Sequence, residues 1–233
     1  MSNEFIAVIA FFATFISLIV MYRFFGKSGL MIWVAIGTVI ANIQVTKTIE
    51  VFGITATLGN ILFASIYLAT DILNDIYGRK TAKRAVWLGF MSVIIMVVLM
   101  TIALSYQPAA SDIAQQSMAT LFGLVPRIAL GSIIAYIIGQ YVDVYIFSFI
   151  KKYFSSDRTF IIRAYGSTAV SSIIDTALFT LIAFYGLMPN AILFEIFLTT
   201  YLFKLLTTIC NVPFGYIAKS IAKDVDDDGP AVH

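Results

Sequence analysis

Residues 70–80 read Thr-Asp-Ile-Leu-Asn-Asp-Ile-Tyr-Gly-Arg-Lys, and they close a long apolar run. The run, from Ile54 to Ile76, is long enough to cross a bilayer as one helix. After it come Gly78 and the paired bases Arg79 and Lys80, which open a predicted loop. The stretch therefore predicts a membrane-spanning helix whose end lies at a basic membrane surface.

Polar side chains line one face of this predicted helix. Asn60, Tyr67, Asp71 and then Asn74 or Asp75 recur at helical spacing. A carboxylate inside the bilayer costs about 2.5–3.5 kcal/mol on insertion scales, so it is tolerated where it faces a partner or a wet cavity. Asp71 is therefore a candidate functional residue. The alternative is that it pairs with a base on a neighbouring helix and only holds the bundle together.

Composition places the chain in a membrane. Of its 233 residues, 60% are hydrophobic and 12% charged, against roughly 25% charged in soluble domains, and the mean hydropathy is +0.94. The net charge of +2 argues against nucleic acid as a partner. The single cysteine, Cys210, and single histidine, His233, argue against a disulfide, zinc or Ser-His-Asp chemistry. Without a glycine-rich nucleotide loop, the sequence predicts no enzyme, no cofactor and no metal.

Apolar runs of bilayer length predict about seven spans. They are Phe5–Phe25, Leu30–Val45, Ile54–Ile76, Ala85–Tyr106, Ile128–Ile150, Phe160–Tyr185 and Ile192–Ile217. We therefore expect an all-α fold, a polytopic membrane helix bundle that forms a single domain over residues 1–223. Residues 108–125 are predicted to form a helix along the outer membrane surface, as an anchor or as a lid. The acidic residues 224–233 are expected to be a disordered tail.

Basic residues alternate between the two sides of the membrane. Clusters follow the third, fifth and last spans: Arg79, Lys80, Lys83 and Arg84; Lys151, Lys152 and Arg158; Lys219 and Lys223. The opposite loops contain Lys47 and Arg127 as their only bases. Because cytoplasmic loops are enriched in Lys and Arg, this pattern predicts a multi-pass protein of the cytoplasmic (inner) membrane. Its C-terminus is predicted to lie inside and its N-terminus outside.

Later spans carry small or polar residues at helical spacing. Gly131, Ala135 and Gly139 form a small-residue face suited to close helix packing. The polar stripes are Ser132, Tyr136, Gln140 and Asp143; Arg163, Ser167, Ser171 and Asp175; and Lys204, Thr208 and Asn211. Charged groups are costly in contact with lipid, so these stripes are predicted to face one another inside the bundle.

Helical rise places the charges in two layers. Asp175 and Lys204 lie near the centres of antiparallel spans, so we predict an ion pair between them, with a structural or gating role favoured over ligand contact. Asp71, Asp143 and Arg163 share the inner third of the membrane. Gln140 lies one turn from Asp143, so an amide and a carboxylate can contact one edge of a planar ligand.

Several motifs together resemble the queuosine precursor transporter family, also called the vitamin uptake transporter family. They are the Asp71–Lys80 stretch, the Ser132–Phe147 stripe, Arg163 with Ser167 and Thr168, Asp175-Thr176, Lys204, and the Asn211-Val212-Pro213 corner. The resemblance runs from about Asn42 to Tyr216, with Asp75 standing where the family commonly has glutamate. It implies a six-helix core, similar to the substrate-binding subunits of energy-coupling-factor transporters, preceded by one extra N-terminal span.

The resemblance also implies import of 7-deazaguanine precursors of queuosine, such as the 7-cyano and 7-aminomethyl bases or queuine. The alternative is a substrate-binding subunit of an ATP-dependent importer of the energy-coupling-factor type. Candidate substrate-binding residues are Asn42, Gln44, Asp71, Gln140, Asp143, Arg163, Asp175, Lys204 and Asn211. The sequence leaves open how transport is driven, and whether the chain acts alone or as a homodimer.

Overall fold

The computed structural model describes residues 2–153 and 160–227, which form six helices and one β-hairpin. The helices are α1 (Asn3–Gln44), α2 (Asn60–Tyr77), α3 (Arg79–Ser105), α4 (Gln115–Tyr153), α5 (Phe160–Phe184) and α6 (Asn190–Asp227). Strands β1 (Thr48–Val51) and β2 (Ile54–Thr57) pair antiparallel between α1 and α2. Within the described chain, three helices are long and apolar enough to cross a membrane: Asn3–Gln44, Arg79–Ser105 and Gln115–Gly139. The predicted all-α membrane helix bundle is confirmed.

Helix α1 consists of two segments that fold back on each other at Gly26. A straight helix of 42 residues would be about 63 Å long. Yet Asn3 Nδ2, at its start, donates to the Glu50 carbonyl, shortly after its end, at 2.7 Å. The reversal occurs at Gly26, where φ is 51° and ψ is −136°, a conformation that favours glycine. The segments 3–25 and 27–44 therefore supply the first two predicted spans.

The start predicted for the third span, Ile54, is six residues too early. Residues 54–57 form β2 rather than helix, and α2 starts at Asn60. Phe52 and Gly53 both have positive φ, the geometry of a tight two-residue hairpin turn. α2 retains 18 residues, about 27 Å, which is close to the thickness of the hydrocarbon core.

Three other boundaries differ from the prediction. The bases of 79–84 do not form a loop, because α3 begins at Arg79 directly after Gly78. The predicted surface helix is not separate, because α4 continues from Gln115 through Pro126, as membrane helices tolerate. α6 extends to Asp227, so the first four residues of the predicted tail are helical, and residues 228–233 lie outside the described residues.

Different contacts distinguish the two ends of the bundle. At the end that holds the Gly26 turn, Tyr22 contacts Tyr77 through hydroxyls 3.3 Å apart, and Lys27 Nζ lies 5.9 Å from the Tyr77 ring centroid. We call this end the Gly26 side. The opposite end, the hairpin side, contains the hairpin-side cluster, formed by Val45, Ile128, Ala183, Phe184, Leu193 and Ile196. This cluster joins the end of α1 to α4, α5 and α6.

Candidate functional site: a polar chamber between four helices

The exposed face of α2 points into the bundle. Phe63, Tyr67 and Asp71 are spaced four residues apart and share this face, and Phe63 packs against the hairpin-side cluster. One turn further on, Tyr67 is 40% exposed. Its hydroxyl lies within electrostatic range of Tyr136 on α4 and Asp175 on α5. We infer that these helices and α6 surround a common space, here called the polar chamber, with Tyr67, Asp71, Tyr136, Asp175 and Lys204 around it.

An ion pair joins α5 to α6 at the chamber. Lys204 Nζ donates to Asp175 Oδ2, and to Thr176 Oγ1 at 3.1 Å. The side chains of Lys204 and Asp175 are 23% and 18% exposed, so the pair is partly shielded but still reached by solvent. The predicted ion pair is confirmed. Opposite charges held this close cost much less inside a membrane than either charge alone.

Close packing of α4 against α5 positions Asp175. A Cβ atom at Gly139 would lie only 2.9 Å from the Asp175 Cβ, and one at Gly131 would lie 3.3 Å from Ile182 Cγ2. Ala135 lies between the two glycines on α4 and is buried. The predicted small-residue face is therefore the α4–α5 contact. Because Gly139 has no side chain, Asp175 can lie against the α4 backbone and still reach Lys204.

Asp71 is an acid of the chamber that has no partner among the residues that the structure describes. Its side chain is exposed, and no hydrogen bond or ion pair reaches its carboxylate from the residues that the structure describes. Asp175, by contrast, is neutralised by Lys204. Of the two alternatives for Asp71, this placement favours an acid that faces a wet cavity over one that pairs with a base. Its carboxylate can accept hydrogen bonds from a ligand, and that role remains a prediction.

The other candidate residues have mixed placements. Asn42 is 1% exposed, with Nδ2 donating to the Thr38 carbonyl at 2.8 Å and Oδ1 accepting from Ser132 Oγ at 3.4 Å. Its amide therefore links α1 to α4. Gln44 is exposed at the end of α1. Four side chains lie outside the described residues, those of Gln140, Asp143, Arg163 and Asn211. For all of these, substrate binding remains a prediction.

Sequence reasoning missed how the hairpin is held against the helices. Glu195 Oε2 accepts from the Thr55 backbone N–H at 2.9 Å, and Thr199 Oγ1 donates to the Thr55 carbonyl at 3.2 Å. Glu4 Oε1 accepts from the Phe52 N–H at 3.1 Å. The hairpin is thus held between α1 and α6. The carboxylates carry no local signal of these bonds, because their partners are backbone groups far away in the sequence.

Arg127 also has a structural role on the hairpin side. Its Nε donates to the Ile182 carbonyl at 2.6 Å, and its Nη2 donates to the Tyr185 carbonyl. Since α5 ends at Phe184, the guanidinium satisfies carbonyl groups that have no partner within the helix. This contact gives a structural reason for a basic residue on the hairpin side, where the sequence has few Lys and Arg residues.

Comparison with known proteins identifies the family. Residues 57–218 match the family model described as "Putative vitamin uptake transporter". The chain belongs to this family of transporters. The matched range contains all five residues that line the polar chamber, and it begins after α1. This chain is accordingly a multi-pass membrane transporter and not an enzyme.

Curated relatives of the transporter cover most of its length. It is 46% identical over 207 residues to the "Probable queuosine precursor transporter" of Bacillus subtilis, covering 89% of this chain and 90% of the relative. It is 29% identical over 173 residues to the "Queuosine precursor transporter" of Escherichia coli, covering 72% and 75%. A third relative with the same "Probable" name, from Haemophilus influenzae, is 30% identical over 135 residues, covering 58% and 54%. No solved structure matches the transporter.

Proposed function

We propose that this transporter imports 7-deazaguanine precursors of queuosine through the polar chamber. The observation that supports the proposal is the proximity of Tyr67 to Asp71, Tyr136 and Asp175, next to the Asp175–Lys204 pair. The carboxylate of Asp71 has no partner among the described residues, so it is available to a ligand. A guanine-like ring has adjacent N–H donors on one edge, which suit the carboxylate of Asp71. Its acceptors suit hydroxyl or ammonium groups, and its flat faces suit the rings of Tyr67 and Tyr136.

The names of the relatives support this substrate class. The 7-cyano base, the 7-aminomethyl base and queuine share the deazaguanine ring and differ in the group at position 7. Recognition through the ring edges therefore admits all three. Gln140 and Asp143 follow Gly139 on α4, and we propose that they extend the contacts to one edge of the base. The Asp175–Lys204 pair is proposed to control passage beside the bound ring.

Uptake by the purified protein tests the proposal. Reconstituted alone in liposomes, it should take up labelled 7-cyano-7-deazaguanine, and unlabelled 7-aminomethyl-7-deazaguanine should compete while adenine should not. Uptake that appears only after an ATPase module is added would instead support the energy-coupling-factor alternative. Protein that unfolds cooperatively on heating, yet neither binds nor moves any 7-deazaguanine, would overturn the proposed function.

We infer that the hairpin side faces the outside of the inner membrane. The basic clusters of the described chain lie on the Gly26 side, and the guanidinium of Arg127 is bound to carbonyl groups. In a Cys210→Ser background, Phe52→Cys at the hairpin tip should react with an impermeant thiol reagent in intact cells. Lys83→Cys should react only after the cells are opened, and the reverse pattern would show the opposite orientation.

A further inference from the structure

Two buried hydroxyls lie between the Asp175–Lys204 pair and the hairpin-side cluster. Thr180 follows Thr176 by one turn on α5, and Thr200 precedes Lys204 by one turn on α6, so both are displaced towards the hairpin side. Because Lys204 Nζ contacts Thr176 Oγ1 at 3.1 Å, the two antiparallel helices bring Thr180 and Thr200 to the same level. We call these two residues the hydroxyl layer.

Both hydroxyls of the layer lack a hydrogen-bond partner in the part of the chain that the structure describes. Thr180 and Thr200 are each 3% exposed. Other helical threonines donate to the carbonyl four residues earlier, as Thr38 and Thr101 do. Thr57, at the end of β2, is likewise buried without a partner. A buried hydroxyl without a partner destabilises the state that buries it.

The cost of these hydroxyls falls on the described state, which buries Thr180 and Thr200 and which we therefore call closed on the hairpin side. If α5 and α6 separate there, water or a ligand can reach Thr180 and Thr200, and the cost disappears. The hairpin-side cluster beyond them offers only apolar groups, whereas the chamber beneath them holds charges. The hydroxyl layer is therefore a polar step on α5 and α6 between the hairpin-side cluster and the ion pair.

We propose that Thr180 and Thr200 form a second contact site for the transported base, used while the hairpin side is open. The proposal rests on the proposed function and adds a site to it. A planar base that leaves water needs partners for both its N–H and its C=O groups. A hydroxyl both donates and accepts, so the layer can bind either edge of a deazaguanine ring on its way to the chamber.

Valine substitutions test the layer, because valine keeps the shape of threonine and removes the hydroxyl. Thr180→Val and Thr200→Val should each raise the melting temperature in detergent by about 2–4 °C. Each should also slow uptake about fivefold, the ratio that one ordinary hydrogen bond represents. The affinity of the closed protein for 7-cyano-7-deazaguanine should be unchanged. Thr180→Ser and Thr200→Ser should retain normal uptake.

Thr101→Val is the matched control, because Thr101 is exposed on α3 and its hydroxyl bonds to the Val97 carbonyl. It should leave both uptake and affinity unchanged. Normal uptake by both valine variants, or a lowered melting temperature, would overturn the hydroxyl layer while leaving the proposed function standing. If the unaltered protein binds no 7-deazaguanine, that result would instead overturn the proposed function.

Thiol labelling gives a second readout that does not depend on the valine variants. In a Cys210→Ser background, Thr200→Cys should be protected from an impermeant thiol reagent applied on the hairpin side. Adding 7-cyano-7-deazaguanine on that side should change the labelling rate at least several-fold, upward where the base opens the hairpin side and downward where the bound base covers the cysteine. Equal labelling rates with and without the base would contradict the proposal.

Discussion

The hairpin side and the polar chamber use their polar residues differently. On the hairpin side, Glu4 and Glu195 bind backbone N–H groups of the hairpin, and Arg127 binds carbonyls at the end of α5. In the chamber, Tyr67 is 40% exposed and Asp71 has no partner among the described residues. The comparison shows that charge alone does not indicate function in this chain. We expect function instead from polar groups that are exposed inside the bundle and have no partner among the described residues.

Separating Asp175 from Lys204 should have the largest effect, because this pair sets the charge balance of the chamber. Asp175→Asn or Lys204→Met alone should lower the free energy of unfolding by about 1–3 kcal/mol, less than for a fully buried pair because both side chains are partly exposed. Exchanging the two residues should recover part of the loss. A double-mutant cycle in detergent measures the coupling, and effects that add within about 0.5 kcal/mol would remove the claim.

Adding a methyl group at Gly139 should disturb the chamber through Asp175. The new Cβ would lie 2.9 Å from the Asp175 Cβ, so Gly139→Ala should cost about 1–3 kcal/mol and weaken precursor binding. Gly123→Ala is the matched control on the same helix, where a Cβ meets nothing within 4 Å. It should stabilise the protein by about 0.5–1 kcal/mol. Similar melting temperatures for the two variants would show that the α4–α5 contact is looser than described.

Removing the carboxylate of Glu4 should have the smallest effect of these changes, and the effect should be confined to the hairpin side. The hydrogen bond from the Phe52 N–H lowers the pKa of Glu4 below its usual range. The pKa of Glu4 is lower in the folded protein than in the unfolded chain. Its hydrogen bond with Phe52 therefore stabilises the hairpin fully above the pKa of the unfolded chain, and this stabilisation is lost as the pH falls through the pKa of the folded protein. Glu4→Gln at neutral pH should speed hydrogen exchange over residues 48–57 and leave precursor affinity unchanged.

The control for the hairpin is Glu50→Gln, because the exposed Glu50 uses its backbone carbonyl, not its carboxylate, to bind Asn3. Hydrogen exchange over residues 48–57 in Glu50→Gln should match that of the unaltered protein. If Glu4→Gln also exchanges at the unaltered rate, Glu4 does not hold the hairpin. If Glu4→Gln weakens precursor binding, the hairpin side and the polar chamber are coupled and do not act separately.

The helices were predictable from the sequence because apolar runs of bilayer length have few alternatives. The hairpin was not. Residues 54–57 are apolar enough to extend α2, and their strand conformation depends on Glu195 and Thr199, which lie some 140 residues away. The start of α3 at Arg79 was also missed, because the basic cluster resembles a loop and Gly78 allows the chain to turn without one.

The ion pair was the most predictable part of the site, because depth along two antiparallel helices follows directly from the helical rise. The use of the Asn42 amide to join α1 to α4 could not be predicted, since it depends on how these helices are rotated against each other. Thr180 and Thr200 could have been found. Each lies four residues from a residue of the Asp175-Thr176 and Lys204 contact, on the same helical face.

The most direct test of the chamber is a titration of 7-cyano-7-deazaguanine into the purified protein and its Asp71→Asn variant. Asparagine keeps the size of the side chain but removes the charged acceptor that we propose for the N–H edge of the base. The dissociation constant should rise about tenfold to a hundredfold, as expected for the loss of a charge-assisted hydrogen bond. The melting temperature should stay nearly the same, because no described residue pairs with Asp71. Equal affinity for the two proteins would contradict a binding site in the polar chamber.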